Sequence, residues 1–196
     1  PQVINAGGGL IVQSSGAGPA QRMASGGQTI SARFVEVIAQ DAPAIISNNF
    51  SGDQFITTTG MNAAGEGLAV RGLGGFDAFA NISQSAAGRS QVINVTGADK
   101  VTVNGAGSSA LISAQGQGQG LAQTLSVTGA GANALNIGSA GALGASILVG
   151  GSQDITAGAG GQSGSITIVG PATNNQLAGF VSNGQQSVRT SGMISV

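Results

Sequence analysis

The chain has 196 residues and a net charge of −1, with 36 glycines, 7% charged residues and no Cys, His, Trp or Tyr. A Ser-His-Asp triad, a Cys nucleophile, a disulfide and a His/Cys metal site are therefore excluded. Six scattered basic residues without aromatic platforms make no phosphate-binding stripe, so no nucleic-acid partner is expected.

Disorder does not fit a chain that is 41% hydrophobic with a mean hydropathy of +0.26. The longest weakly polar run, Asn136–Gly151, is broken by Gly and Ser and falls short of the ~18 apolar residues a spanning helix needs, so no transmembrane segment is expected. An outer-membrane barrel would need aromatic girdles, and Tyr and Trp are absent. The sequence opens on Pro1 rather than Met, which we read as a cleaved leader.

Residues 1–13 form an apolar, uncharged segment. Val3 and Ile4 lie before the Gly7–Gly9 run, and Leu10, Ile11 and Val12 lie after it. These five residues are the candidate subunit linkage. The expectation is a donor strand that leaves its own subunit and adds to the next, with Gly7–Gly9 as hinge.

Residues 14–85 are less regular and read as a β region or a cap. They hold much of the charge: eleven of the thirteen charged residues, and five of the six Phe, lie within residues 1–100. Gln28–Gln40 fits a strand through Ile30, Ala32 and Phe34 or a helix through Ile30, Phe34 and Ile38. Its β-branched content favours the strand.

Residues 86–196 carry a pattern of short β-branched clusters separated by Gly, Ala, Ser and Asn. Within clusters the apolar positions alternate, as in Ile93/Val95, Val101/Val103, Leu125/Val127 and Ile166/Ile168, so one face is buried. Gln91–Ala114 laid on Gln123–Ser146, at an offset of 32, gives 8 identities in 24. A further copy begins at Gln153, and QVIN occurs at both Gln2–Asn5 and Gln91–Asn94. Three strands per period predict an all-β, three-sided parallel β-solenoid with one coil per repeat. Val95 is then expected to stack on Val127, Val103 on Leu135 and Ile112 on Ile147. The competing architecture is an antiparallel β-sandwich or jelly roll with strand exchange between subunits, for which Asn104-Gly105 and Asn183-Gly184 are hairpin signals.

Chemistry-bearing motifs are sparse. Gly105–Ala110 and Gly129–Ala134 match GxGxxA, but neither has a following helix signal or an acid about 20 residues on, so both read as Gly-rich turns. Gly116–Gly120 lacks the GK[ST] of a phosphate loop. The carboxylates Asp41, Asp53, Asp77 and Asp99 form no evident pair, and Asp99-Lys100 reads as a solvated turn. Thr57–Thr59 does not recur as a flat threonine array. Sequons occur at Asn49, Asn81 and Asn94. No catalytic residue, cofactor or metal is assigned, and the chain is not expected to be an enzyme.

The segments SQVINVTGADKVTVNGAGSSALISA and AQTLSVTGAGANALNIGSAG resemble the β-helical repeats of secreted bacterial adhesins and extracellular filament proteins. The regular Gln/Asn ladder of curli-type amyloid subunits is not evident, nor is the N-terminal hydrophobic helix of type IV pilins. The resemblance implies secretion to the cell exterior and structural or adhesive work. Independently, a nearly uncharged solenoid offers poor protection for its end strands, which suits a subunit covered by identical neighbours. The expectation is a homopolymer forming an extracellular filament. The alternative is an adhesin passenger domain that binds a surface or polysaccharide.

Overall fold

In the computed structural model the described residues are 1–75, 77–97, 100–115, 121–128, 131–138, 144–158, 163–170 and 177–196. They form twenty strands in repeating triplets. The first coil is β1 (Gln2–Ala6), β2 (Leu10–Ser14) and β3 (Ala20–Ala24). It is followed by β4 (Gln28–Ala32), β5 (Val35–Ala39), β6 (Ala44–Asn48), then β7 (Gln54–Thr58), β8 (Glu66–Gly72), β9 (Ala80–Gln84). The next coils are β10 (Gln91–Val95), β11 (Lys100–Asn104), β12 (Ala110–Ala114) and β13 (Leu121–Val127), β14 (Gly131–Gly138), β15 (Ala145–Val149). The chain finishes with β16 (Ser152–Ala157), β17 (Gly164–Val169), β18 (Ala178–Ser182) and a partial coil of β19 (Gln186–Thr190) and β20 (Ile194–Ser195).

Every third strand pairs in parallel, giving three sheets of seven, seven and six strands. We call them the first face (β1 to β19), the second face (β2 to β20) and the third face (β3 to β18). The fold is an all-β, three-sided parallel β-solenoid. Asn104-Gly105 and Asn183-Gly184, hairpin signals on the competing sandwich architecture, are corners joining β11 to β12 and β18 to β19. Gln28–Gln40 makes two strands around a corner at Arg33–Phe34. The same three sheets run through residues 14–85 and on through 86–196.

The period-two pattern follows from this geometry: one side chain of each pair points into the coil and the next points out. The inward residues stack in columns. On the first face the column is Ile4, Ile30, Ile56, Ile93, Leu125, Ile155 and Val188. On the second it is Leu10, Val35, Leu68, Val101, Leu135, Ile166 and Ile194. The third face opens each strand on an alanine column, Ala20, Ala44, Ala80, Ala110, Ala145 and Ala178. The middle members of these columns form one continuous buried core, while Ile4, Ala6, Leu10, Ile168, Phe180 and Val188 are only partly buried against its ends.

Register confirms two expected stacks and corrects the third. Val95 pairs with Val127 and Ile112 with Ile147, but Val103 pairs with Ile137, and Leu135 pairs with Val101. The first face keeps the 32-residue offset. On the second face β14 is longer than β11, with its extra residues ahead of Leu135, so Asn104 sits on Gly138 and the Asn104/Asn136 identity is not a structural equivalence. Ala142-Leu143 lies outside the described residues.

Ile93 is fully buried between Ile56 and Leu125. Ile93→Ala is expected to cost about 2–5 kcal/mol, whereas the outward Thr124→Ala should cost under ~1 kcal/mol. Urea denaturation of the purified protein measures both.

Candidate assembly interface

The corner between the third and first faces is built from side-chain amides. Asn48, buried at the end of β6, accepts from the Gly27 N–H at 3.3 Å and donates to the Gly52 carbonyl at 2.8 Å. Gly27 and Gly52 both have positive φ, and a Cβ on Gly52 would lie 2.8 Å from the Gly27 Cα. Only glycine permits so close a turn here. The Gln84 carboxamide ties the next coil to the same Gly52 carbonyl at 2.8 Å.

Immediately after this corner, each strand of the first face supplies one glutamine to an unbroken ladder: Gln2, Gln28, Gln54, Gln91, Gln123, Gln153 and Gln186. From Gln28 onward, each Nε2 donates to the Oε1 of the glutamine one coil nearer the N-terminus, at 2.6 to 2.8 Å. Several use their second N–H on the third face, donating to the carbonyls of Ser83, Ser113 and Ile147. The inner rungs from Gln28 to Gln153 are buried. A glutamine ladder is therefore present, contrary to the sequence reading. Its rungs are separated by 26, 26, 37, 32, 30 and 33 residues, so no fixed period reveals it.

The ladder is polar in direction and open at both ends. Among the described residues, the Gln2 carboxamide nitrogen has no acceptor and the Gln186 carboxamide oxygen has no donor. The sheets are open at the same places: β1, β2 and β3 at one end, β18, β19 and β20 at the other. These six edge strands carry two charged residues, Arg22 and Arg189, and no proline. Arg189 is paired with Asp154. Arg22 occupies the inward column that is Ile46, Ile82, Ile112, Ile147 and Phe180 in the other coils, and no carboxylate among the described residues pairs with it.

The structure places all five linkage candidates on the N-terminal edge. Val3 and Ile4 lie in β1 and pair with Thr29 and Ile30; Leu10, Ile11 and Val12 lie in β2 and pair with Val35, Glu36 and Val37 of the same chain. Val3 and Ile11 point outward and are exposed, Ile4 and Leu10 are half-buried, and Val12 is buried.

Apart from Asp154 in β16, the described carboxylates separate into corners and one cluster. Asp41 and Asp77 are exposed, each three residues before the alanine column on successive coils. Asp53 accepts from the Ser90 N–H at 2.9 Å. Asp99 lies outside the described residues, as do Phe76, Gly116–Gly120 and the first residues of Gly129–Ala134. The other GxGxxA match runs through a corner into strand β12, not a helix. No group of three His, Cys, Asp or Glu among the described residues could hold a metal ion. No helix among them is long and apolar enough to cross a membrane.

The buried carboxylate that sequence reading missed is Glu66, at 3% exposure. The corner before β8 folds over the outer side of the second face, covering Ala69 between Glu36 and Thr102. Glu66 accepts from Thr102 at 2.7 Å, from Asn62 at 3.0 Å and from Arg71, while Asn62 also donates to Glu36 at 2.7 Å. Burial pushes the Glu66 pKa up, but the hydrogen bonds from Arg71, Asn62 and Thr102, with the Arg71 charge, outweigh it and hold the carboxyl below its ordinary range. All its oxygens are engaged within the protein, so the cluster pins a corner rather than presenting a reactive group.

Comparison of the chain with protein-family models, with curated proteins and with solved structures found no match.

Two measurements check these assignments. Gln91→Ala leaves the Gln54 oxygen without its donor and the Gln123 nitrogen without its acceptor, and should cost several times more than Gln186→Ala, which loses one bond worth about 0.5–1.5 kcal/mol; urea midpoints of the purified protein report both. Because the folded pKa of Glu66 is below its unfolded value, its stabilisation is present above the unfolded pKa and is lost as pH falls through the folded pKa. Denaturation midpoints from neutral to acidic pH should therefore fall less steeply in Glu66→Gln than in the parent.

Proposed function

We propose that the chain is a structural subunit of a self-assembling extracellular filament, polymerising head to tail by β-strand addition and stacking. The observation that carries this reading is the complementarity of the two open ends. One presents a glutamine nitrogen and half-buried Ile4 and Leu10. The other presents a glutamine oxygen, half-buried Val188 and exposed Ile194. Unlike surfaces that meet head to tail without closing a ring generate an open fibre. The near absence of charge and proline from the edge strands removes the usual obstacles to such pairing. The linkage residues serve without leaving their own coil: Val3, Ile4, Leu10, Ile11 and Val12 offer the free side of β1 and β2.

Filament work needs no cofactor, metal or catalytic group, in keeping with a composition lacking His and Cys. The resemblance to secreted adhesin and filament repeats supports a place outside the cell.

The test is assembly from dispersed subunit, followed by light scattering and negative-stain microscopy. The parent protein should form filaments above a critical concentration. Ile4→Lys, an inward charge on the open edge, should keep its β-sheet circular dichroism and remain at subunit mass. Burying that lysine in the joint costs several kcal/mol, and every 1.4 kcal/mol raises the critical concentration about tenfold. Parent protein that stays monomeric at high concentration would favour the adhesin passenger reading instead.

A further inference from the structure

Resting on the head-to-tail reading above, we infer that successive subunits join with like faces aligned, the glutamine ladder passing through the joint, and that this joint leaves a one-strand notch on the third face that houses Arg22.

Two joints satisfy strand pairing. In the aligned joint, β1 of one copy adds to β19 of the copy before it and β2 adds to β20. The registers of β1 on β4 and of β16 on β19 both begin on glutamine. Carried across the joint, they set Gln2 on Gln186, Val3 on Ser187, Ile4 on Val188 and Asn5 on Arg189. The second face sets Leu10 on Ile194. In the rotated joint, turned by one face, β1 adds to β18, β2 to β19 and β3 to β20. Because the third face has six described strands and the others seven, the rotated joint is the gapless one.

Side-chain chemistry favours the aligned joint despite its gap. It pairs the free Gln2 nitrogen with the free Gln186 oxygen and sets aliphatic on aliphatic in both inward columns. The rotated joint sets Gln2 on Ala178 and Leu10 on Gln186, leaving a donor and an acceptor unmatched in a closed interface. It also carries Arg22 inward over the end of β20, against Val196. An unmatched buried polar group and an unpaired buried cation are the two most unfavourable outcomes available to such an interface.

The aligned joint also accounts for Arg22. With β1 and β2 seated, β3 of one copy and β18 of the copy before it are two strand spacings apart, about 9.6 Å, with no strand between them. Arg22 and Phe180 face this notch from opposite sides. An arginine in a column otherwise built of isoleucine and phenylalanine is tolerated because the position opens on water. One notch per subunit then recurs along a single face of the filament.

Engineered cysteines distinguish the joints, since the chain has none of its own. Outward residues directly opposed on neighbouring strands are about 4.8 Å apart, within disulfide reach. The Val3→Cys/Ser187→Cys protein reports the aligned joint, and the Asn5→Cys/Val181→Cys protein the rotated one. Each pair lies at opposite ends of one subunit and cannot bridge within it. After assembly and mild oxidation, the first protein should shift from a single band to a ladder of covalent oligomers on a non-reducing gel, and the second should not. Filaments that cross-link through the second pair, or through neither, overturn the aligned joint while head-to-tail assembly stands. If neither protein, nor the parent, forms filaments under the microscope, the filament reading itself fails, and the joint with it.

Discussion

The structure depends on a column of glutamine carboxamides that must each find a donor and an acceptor inside the coil. A primary amide buried beside a corner is costly when unmatched, and a stack of identical amides at strand spacing resolves this by letting each rung satisfy the next. The solution works only where successive first-face strands are in register, so the ladder also fixes register: a slip of one residue would turn every glutamine outward and every isoleucine with it. The apolar columns supply most of the favourable burial, but burial is tolerant of exchange among Ile, Leu and Val. The amides are the specific element.

The three corners divide the work. The corner into the third face uses alanine, the smallest side chain that fills the angle between two sheets, in every coil from Ala20 to Ala178. The corner into the first face uses Gln, Asn and positive-φ Gly to tie the turn to the next strand. The corner into the second face varies most, and its long version before β8 folds back to bury Glu66 with Arg71, Asn62 and Thr102. Coil length can therefore change at corners while the columns continue uninterrupted. The same logic makes the ends incomplete. What satisfies an inner rung is the coil above and the coil below, and a terminal rung lacks one of them.

Much of the fold was legible in the residues. Alternation in Ile93/Val95 and Val101/Val103 gave strands with one buried side, and the repeated QVIN at Gln2 and Gln91 marks equivalent rungs of the first face. The 32-residue offset predicted the Val95–Val127 stack because the first face conserves it between the coils of β10 and β13. It misplaced Val103 because β14 carries extra residues ahead of Leu135 that β11 lacks ahead of Val101, and such an insertion leaves little trace in an alternating pattern. The glutamine ladder escaped for the same reason: its signal lies in side-chain position within the coil, not in any constant spacing along the chain. Glu66 was equally hidden, since nothing in its neighbourhood distinguishes an acid under a folded corner from a solvated one. The linkage candidates Val3, Ile4, Leu10, Ile11 and Val12 were singled out for being apolar and terminal. The structure adds that they share one open edge.

Hydrogen exchange of the glutamine carboxamide protons, followed by NMR in the isolated chain and again under the conditions of the proposed assembly, tests the central claim most directly. Protons on Gln28, Gln54, Gln91, Gln123 and Gln153 should exchange far more slowly than those of exposed Gln13 and Gln21, while Gln2 should exchange freely in the isolated chain and become protected in the proposed filament. Uniformly fast exchange among the ladder residues, or a Gln2 amide that stays unprotected in the assembled state, would contradict the account.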